Sequence, residues 1–246
     1  WTGWSCSGSG DDRVATGLCS GTVWTGVTCV GSAVTELDIS MSNVIGSIPS
    51  TIGSLTTLIS LNTRSNSMSG TLPQSIGSMT NLVYVSVQEN NHVGALPASF
   101  GSLGKLINFQ IFSNSFTGTI PTEFGALTAL VLFHMFYNKL SGSIPTTLSA
   151  LSVVREFMLS SNKFVGTIPS VIGLLTNVEK VYIHLNSFSS AIPSSIGSLA
   201  KMTSFRAYTN SLTGSIPSTF TALSELTDLQ IYGNQLNNAY PAGLCD

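Results

Sequence analysis

Residues 106–129 read LINFQIFSNSFTGTIPTEFGALTA, and variants of this unit fill most of the chain. Its proline recurs at a constant spacing of 24 residues, and the series includes all nine prolines of the sequence: Pro49, Pro73, Pro97, Pro121, Pro145, Pro169, Pro193, Pro217 and Pro241. A fixed period of this length indicates a solenoid, in which each repeat packs only against its two neighbours.

The repeats can be numbered from a recurrent apolar residue taken as position 1. They then begin at residues 34, 58, 82, 106, 130, 154, 178, 202 and 226, with no insertion or deletion between them. We therefore predict two parts, an amino-terminal cap over residues 1–33 and a solenoid of nine repeats over residues 34–246, eight of 24 residues and a last one of 21.

Each position of the repeat predicts a local structure. Apolar residues at positions 4 and 6 alternate as in a β-strand, so stacked repeats should form a parallel sheet with strands about 4.8 Å apart. Position 9 is Asn in eight of the nine repeats. An inward Asn offers both a donor and an acceptor to the turn after each strand. The proline at position 16 favours a 3₁₀ or short helical segment on the opposite side.

These residues resemble the leucine-rich repeat of the plant-specific type, with its G-x-I-P signature in GSIPSTIGSL (46–55), GTIPTEFGAL (118–127) and GSIPSTFTAL (214–223). That class includes receptor-kinase ectodomains and polygalacturonase-inhibiting proteins, and similar repeats occur in protist secreted proteins and in a plant antifreeze protein. The resemblance implies an α/β fold: a right-handed curved solenoid with a concave parallel β-sheet, convex 3₁₀ or short helices, and a second short sheet around the G-x-I-P segment.

The cysteines lie outside the regular repeats. Residues 19–29, CSGTVWTGVTC, resemble the amino-terminal cap of the same family. The resemblance implies a disulfide between Cys19 and Cys29, with Trp24 and Val27 covering the end of the core. A disulfide implies an oxidising compartment, so we expect an extracellular protein, secreted or at the cell surface.

Cys6 and Cys245 cannot pair with each other within the chain. Nine strands at about 4.8 Å separate the two ends by about 40 Å, whereas a disulfide requires Cα atoms within about 7 Å. Cys6 could pair within the cap instead. For Cys245 we expect a partner beyond Asp246, which would make the chain a fragment, or an atypical carboxy-terminal cap.

Composition and histidine placement exclude several functions. The net charge of −2 argues against nucleic-acid binding, and no apolar run reaches the length of about 18 residues that a membrane span needs. His92 occupies an inward position. His134 and His184 point outward about 10 Å apart, which is too loose for a shared metal, and we expect no Cys or carboxylate to complete a set. We predict no catalysis, metal or cofactor.

The outward positions of the central strands carry aromatic and charged side chains. Exposed aromatic residues on a rigid sheet are typical anchors for a peptide, protein or glycan, although aromatic residues also favour strands for structural reasons. His134 and His184 could make such binding depend on pH between about 5 and about 7. The predicted concave site consists of Phe112, His134, Phe136, Tyr137, Met158, Tyr182, His184, Arg206, Tyr208 and Tyr232.

Positions 12 and 14, on either side of the repeat glycine, offer a competing site. They form two uncharged ranks about 4.8 Å apart along the stack and about 6.7 Å across. Such a ladder resembles the ice-binding face of solenoid antifreeze proteins, although Ser and Thr at these positions are also ordinary for this repeat. The same flat flank could instead serve self-association. The hydroxyl members are Ser69, Thr71, Thr117, Thr119, Ser141, Ser143, Thr167, Thr213 and Ser215.

Overall fold

The computed structural model describes residues 25–237 and 241–242. Cys29 is disulfide-bonded. Cys6, Cys19, Trp24 and Cys245 lie outside the described residues, so the pairing of Cys19 with Cys29 and the boundary of the cap stay predictions.

A ten-stranded sheet forms the concave face. Its first two strands pair antiparallel, and all later pairs are parallel and in register, so that Phe109, Phe133 and Phe157 face one another in successive repeats. The parallel sheet predicted from positions 4 and 6 is thereby confirmed. The strands are Val27–Val30, Ala33–Asp38, Ser60–Asn62, Tyr84–Ser86, Asn108–Gln110, Leu132–His134, Glu156–Met158, Lys180–Tyr182, Ser204–Arg206 and Asp228–Gln230.

The convex face carries a 3₁₀ helix directly after the proline in eight repeats. Each proline has an extended backbone, as Pro121 does at φ −61° and ψ 140°, and its carbonyl accepts the first helical hydrogen bond, here from Phe124 N at 3.2 Å. Proline suits this place because it loses no donor that the helix could use. The helices are Ser50–Ser54, Gln74–Ser78, Ala98–Ser102, Thr122–Ala126, Thr146–Ala150, Ser170–Leu174, Ser194–Ser198 and Ser218–Ala222.

The second sheet is present in two parts. The strand of the fifth repeat begins at Ser141, two positions later in the repeat than its neighbours, so it overlaps too little with Ser115–Thr117 to form a ladder. Backbone hydrogen bonds from Lys139 N to Phe116 O (2.8 Å) and from Ser141 N to Gly118 O (2.7 Å) still join the parts. The strands are Ile45–Gly46, Ser67–Gly70, Asn91–Ala95 and Ser115–Thr117 in one part, and Ser141–Gly142, Lys163–Thr167, Ser187–Ala191, Ser211–Gly214 and Gln235–Leu236 in the other.

The asparagines at position 9 connect consecutive repeats, as predicted. Asn138 Oδ1 accepts from Phe116 N of the preceding repeat at 3.0 Å. Its amide nitrogen donates to Ile111 O of that repeat at 3.1 Å and to Met135 O of its own at 3.2 Å. One side chain therefore satisfies backbone groups that a strand-to-turn transition would otherwise bury without partners.

The core runs between the concave sheet and the 3₁₀ helices. Phe109 packs edge-on against Phe124 at 5.8 Å between ring centroids, and both are fully buried. The helices stack closely at Gly125, where a Cβ atom would lie 2.5 Å from the backbone oxygen of Thr147 in the next repeat. This close approach explains why glycine is common at position 20.

Candidate functional site

An aromatic column runs along the concave face at position 7, two residues after the end of each strand. Because the strands are in register, the position-7 side chains of neighbouring repeats lie face to face. Phe112 stacks on Phe136 with ring centroids 4.3 Å apart. Farther along, His184 stacks on Tyr208 at 4.3 Å, and Tyr208 on Tyr232 at 4.7 Å. The five rings form two stacks, which we call the aromatic column.

Stacking hides much of the predicted site. Only Tyr137 (59%) and Tyr232 (63%) among the ten predicted residues are large hydrophobic groups that remain well exposed. His184 keeps 9% of its surface accessible, although we expected an outward, exposed side chain. The reason is its stack on Tyr208, together with Tyr182, whose ring centroid lies 6.0 Å from the imidazole. The column presents mainly ring edges to solvent.

The side chains at position 8 lie beside the column, and the backbone of these residues has an unusual conformation. Tyr137 has φ +52° and Leu185 has φ +55°, in the left-handed region that bulky residues rarely adopt. Tyr137 packs edge-on against Phe136 at 5.7 Å. Position 8 has this conformation in every repeat, so it belongs to the turn of the repeat, and a bulky residue there costs stability relative to glycine or asparagine.

Position 5 forms a second row in the middle of the same sheet. The strand pairings put His134 next to Met158, Met158 next to Tyr182, and Tyr182 next to Arg206. The Arg206 guanidinium lies over the Tyr182 ring, 4.7 Å from its centroid. The predicted site residues of this row therefore lie together, and its cation is partly held by an aromatic face.

Glu156, at position 3, links His134 to a lysine. His134 Nε2 lies 2.8 Å from Glu156 Oε2, and Lys180 Nζ donates to Glu156 Oε1 at 2.8 Å. Burial acts against the carboxylate, but the bonds from Lys180 and His134 lower the pKa of Glu156 below its ordinary 4.5. Glu156 therefore lies beside His134 on the concave face, because position 3 points to the same face as position 5.

A second ion pair ends the row. Arg206 Nε donates to Asp228 Oδ2 at 2.6 Å, and Ser204 Oγ and Gln230 Nε2 donate to the same carboxylate. Burial opposes ionisation, but these hydrogen bonds lower the pKa of Asp228. Glu156 with Lys180 and Arg206 with Asp228 therefore form two ion pairs on this part of the concave face.

The pKa of both outward histidines is lowered from its ordinary value of 6.5. Burial lowers the pKa of His134 below 6.5, although its bond to Glu156 acts in the opposite direction. Burial and the charge of Arg206 lower the pKa of His184. Protonation of both side chains therefore moves toward the acidic end of the predicted window or below it.

The ladder at positions 12 and 14 lies on the outer faces of the two short sheets. Eight of the nine predicted hydroxyl residues are exposed; Ser141 is half-buried, and its hydroxyl donates to Gly118 O at 3.3 Å. Apolar members interrupt the hydroxyls, with Val93 and Val165 also exposed. The backbone hydrogen bonds from Lys139 N to Phe116 O and from Ser141 N to Gly118 O keep the array continuous between the two sheets.

Residues 25–237 and 241–242 contain neither a cluster of metal-binding side chains nor a membrane-spanning helix. No group of three His, Cys, Asp or Glu side chains is placed to hold a metal ion. No helix in this part of the chain combines the length and apolar character needed to cross a bilayer.

Sequence reasoning omitted Glu156, Lys180 and Asp228 from the concave site. Glu179, at position 2 of the next repeat, forms a separate pair with Arg155 at 3.5 Å. The available signal was the position number, because position 3 shares a face with positions 5 and 7. A charged residue there, beside an oppositely charged residue in the next repeat, predicts the ion pairs now seen.

The chain is similar to solved leucine-rich repeat structures, whereas no protein-family model and no curated protein sequence matches it. The ectodomain of the Arabidopsis thaliana receptor kinase GASSHO1/SCHENGEN3, in complex with CASPARIAN STRIP INTEGRITY FACTOR 2, is 32% identical with a TM-score of 0.79 over 81% of this chain. The ectodomain of the Arabidopsis receptor kinase HAESA, in complex with an IDA peptide hormone ligand, is 31% identical with a TM-score of 0.80 over 90% of this chain.

The chain spans only 24% of the GASSHO1/SCHENGEN3 structure and 38% of the HAESA structure. A plant ice-binding protein matches over 90% of this chain and 80% of its own, with a TM-score of 0.70. At 22% identity, that last likeness concerns the fold alone.

Proposed function

Because the chain is a leucine-rich repeat solenoid of the plant-specific type, we propose that it is a non-catalytic extracellular recognition module that binds a peptide or protein segment on its concave face. The observation that carries this proposal is the aromatic column with its adjoining row of paired charges. The related ectodomains of GASSHO1/SCHENGEN3 and HAESA, each solved with a ligand, support a binding role. The disulfide-bonded Cys29 supports an oxidising location.

The geometry of the column favours a peptide over a glycan. Sugars stack on the faces of aromatic rings, but here Phe112 and Phe136 each cover one face of the other, as do His184 and Tyr208. The exposed ring edges carry partial positive charge and suit carbonyl oxygens, which an extended peptide provides along its length. The paired charges of Lys180 and Arg206 add polar contacts beside the column. A rigid sheet would bind with little ordering cost.

Peptide and glycan arrays test this function. Wild-type protein should give sequence-dependent signals on the peptide array, and Phe136→Ala and Tyr208→Ala should each weaken them by about 30-fold or more, as expected for buried aromatic anchors. Leu174→Ala is the matched control, because Leu174 is an exposed apolar residue of a convex 3₁₀ helix. Unchanged binding by both concave variants, or binding to the glycan array alone, would refute the proposal.

A second candidate function rests on the ladder. Its two uncharged ranks are regularly spaced and cross the gap between the short sheets, which favours contact with a flat, periodic surface such as ice. We would measure ice recrystallisation inhibition by wild-type protein, Thr119→Tyr and Ser102→Tyr. Thr119 lies in the ladder, whereas Ser102 is an exposed convex residue. Ice binding requires loss in Thr119→Tyr only; no inhibition by the folded wild type rejects it.

A further inference from the structure

Tyr208 and Tyr232 are the only two tyrosines that stack on each other among the described residues. Their ring centroids lie 4.7 Å apart, and the ring planes differ by 7°. The two residues take position 7 in the eighth and ninth repeats. Tyr137 is also exposed, but its ring packs against Phe136 instead. Two phenol rings therefore lie side by side at one end of the aromatic column.

The backbone holds the two tyrosines next to each other. Thr209 N donates to Tyr232 O at 2.9 Å, directly beside the stacked rings. The strands that precede the two tyrosines, Ser204–Arg206 and Asp228–Gln230, are paired in register. Because the chain is fixed on the approach to both rings, a reaction between them takes place within one molecule and needs no diffusional encounter.

Both phenols can be reached from solvent. Tyr232 is 63% exposed, and Tyr208 is partly exposed. Burial and the neighbouring Tyr232 raise the pKa of Tyr208 above its ordinary 10.0, although the charge of Arg206 acts in the opposite direction. Tyr208 therefore remains a neutral phenol at neutral pH, with a proton that can leave together with an electron.

We propose that Tyr208 and Tyr232 form an oxidative cross-linking site, at which a haem peroxidase with hydrogen peroxide joins them as dityrosine. Each phenol gives one electron and its hydroxyl proton, and together these reduce one molecule of hydrogen peroxide to two of water. The two phenoxyl radicals form a bond between their ortho carbons. The hydrogens on those carbons then move to the oxygens, which restores both aromatic rings and both hydroxyl groups.

The cross-link would fasten a repeat that is poorly buried. Leu229 and Ile231 of the ninth repeat are only partly buried, whereas Phe205 and Ala207, their counterparts in the eighth, are fully buried. A covalent bond between residues 24 positions apart limits the freedom of the unfolded chain, as a disulfide does. Cross-linked protein should therefore unfold at a higher urea concentration than untreated protein. None of this depends on the proposed peptide binding.

The test treats dilute, full-length chain with a haem peroxidase and hydrogen peroxide, and then digests the reduced protein with trypsin and a glutamate-specific protease. Residues 207–246 contain no Lys or Arg, and cleavage after Glu225 separates the two tyrosines. Fragments 207–225 and 226–246 should stay joined, two hydrogen atoms lighter than their sum, and should show dityrosine fluorescence. Protein treated without peroxide should give two separate fragments.

The variants Tyr208→Phe and Tyr232→Phe should each lower the yield of the joined fragment at least about tenfold, because only random encounters then remain. Both variants keep a ring in the stack, and Phe112 and Phe136 already stack at position 7 of other repeats, so folding is retained. Tyr232→Phe also assigns the bond, because Tyr240 shares the second fragment.

Tyr137→Phe is the matched control, because it removes an exposed phenol that stacks on no other tyrosine, and it should cross-link as wild type does. Three results would overturn the proposed site: separate fragments after the peroxide is consumed, a joined fragment that persists in Tyr232→Phe, or bonds found mainly between molecules, as dimers on a denaturing gel. Equal urea midpoints for cross-linked and untreated protein would refute the fastening role.

Discussion

His92 is the least suited residue in the core, and replacing it should stabilise the protein. It occupies position 11, where other repeats have Met68, Phe116 or Leu140, and its side chain is fully buried. Its ring stacks on Phe116 at 5.9 Å. His92 Nδ1 makes one long contact, 3.4 Å, with Gly70 O, and Nε2 has no partner among the described residues. The perturbation we choose is His92→Leu.

The magnitude follows from these contacts. Leaving a buried polar atom without a hydrogen bond costs about 1–3 kcal/mol, whereas the long contact to Gly70 O contributes little. Leucine also fits the volume and is native at this position in Leu140. We therefore expect the free energy of unfolding to rise by about 1–3 kcal/mol at pH 7.5, measured by urea denaturation.

Acidification should enlarge this difference. Burial lowers the pKa of His92 below the value of 6.5 expected in the unfolded chain, although the backbone oxygens of Gly70 and Ser69 partly oppose it. Below pH 6.5 the unfolded wild type therefore binds more protons than the folded form and loses stability as the pH falls. The loss is at most about 1.4 kcal/mol per pH unit and ends at the folded-state pKa. His92→Leu lacks this contribution.

Met68→Leu is the control, because it alters the same position one repeat earlier without changing a titratable group. Its stability difference from wild type should be small and independent of pH. The reasoning about His92 is refuted if His92→Leu is no more stable than wild type, or if its advantage stays constant between pH 8 and pH 5.

Three further predictions concern the position-9 asparagines, the Glu156–His134 contact and the backbone strain at position 8. Asn162→Leu should lower the free energy of unfolding, measured in urea, by about 3 kcal/mol or more, because Leu140 N and several carbonyls lose their hydrogen-bond partner. A loss under about 1 kcal/mol would contradict the structural role of the position-9 asparagines. Glu156→Gln should lower the pKa of His134 further in an NMR titration, because the carboxylate raises it; an unchanged or higher pKa would show that the contact is absent in solution. Tyr137→Asn should raise stability by up to about 1 kcal/mol by relieving its left-handed backbone while weakening peptide-array signals; lower stability would rule out strain there.

Much of the fold is predictable from the sequence because a solenoid repeats one local problem. The spacing of Pro121 and its counterparts, the alternation of Phe109 and Ile111, and the inward Asn114 each predict a structure within a single repeat or between adjacent ones. The site was predictable only in part. The column members from Phe112 to Tyr232 were placed on the concave face, but their mutual stacking and the burial of His184 were not anticipated.

The sequence by itself determined the period, the register and the face that each position occupies, because all three depend on contacts within a repeat or between adjacent repeats. Only the tertiary structure decided which side chains meet across repeats: Glu156 with His134 and Lys180, Phe112 with Phe136, and His184 with Tyr208. These depend on rotamers and on the separation of neighbouring rings, which a periodic pattern leaves open. For the same reason the sequence predicted the residues of a binding face, whereas the structure shows which of them cover one another.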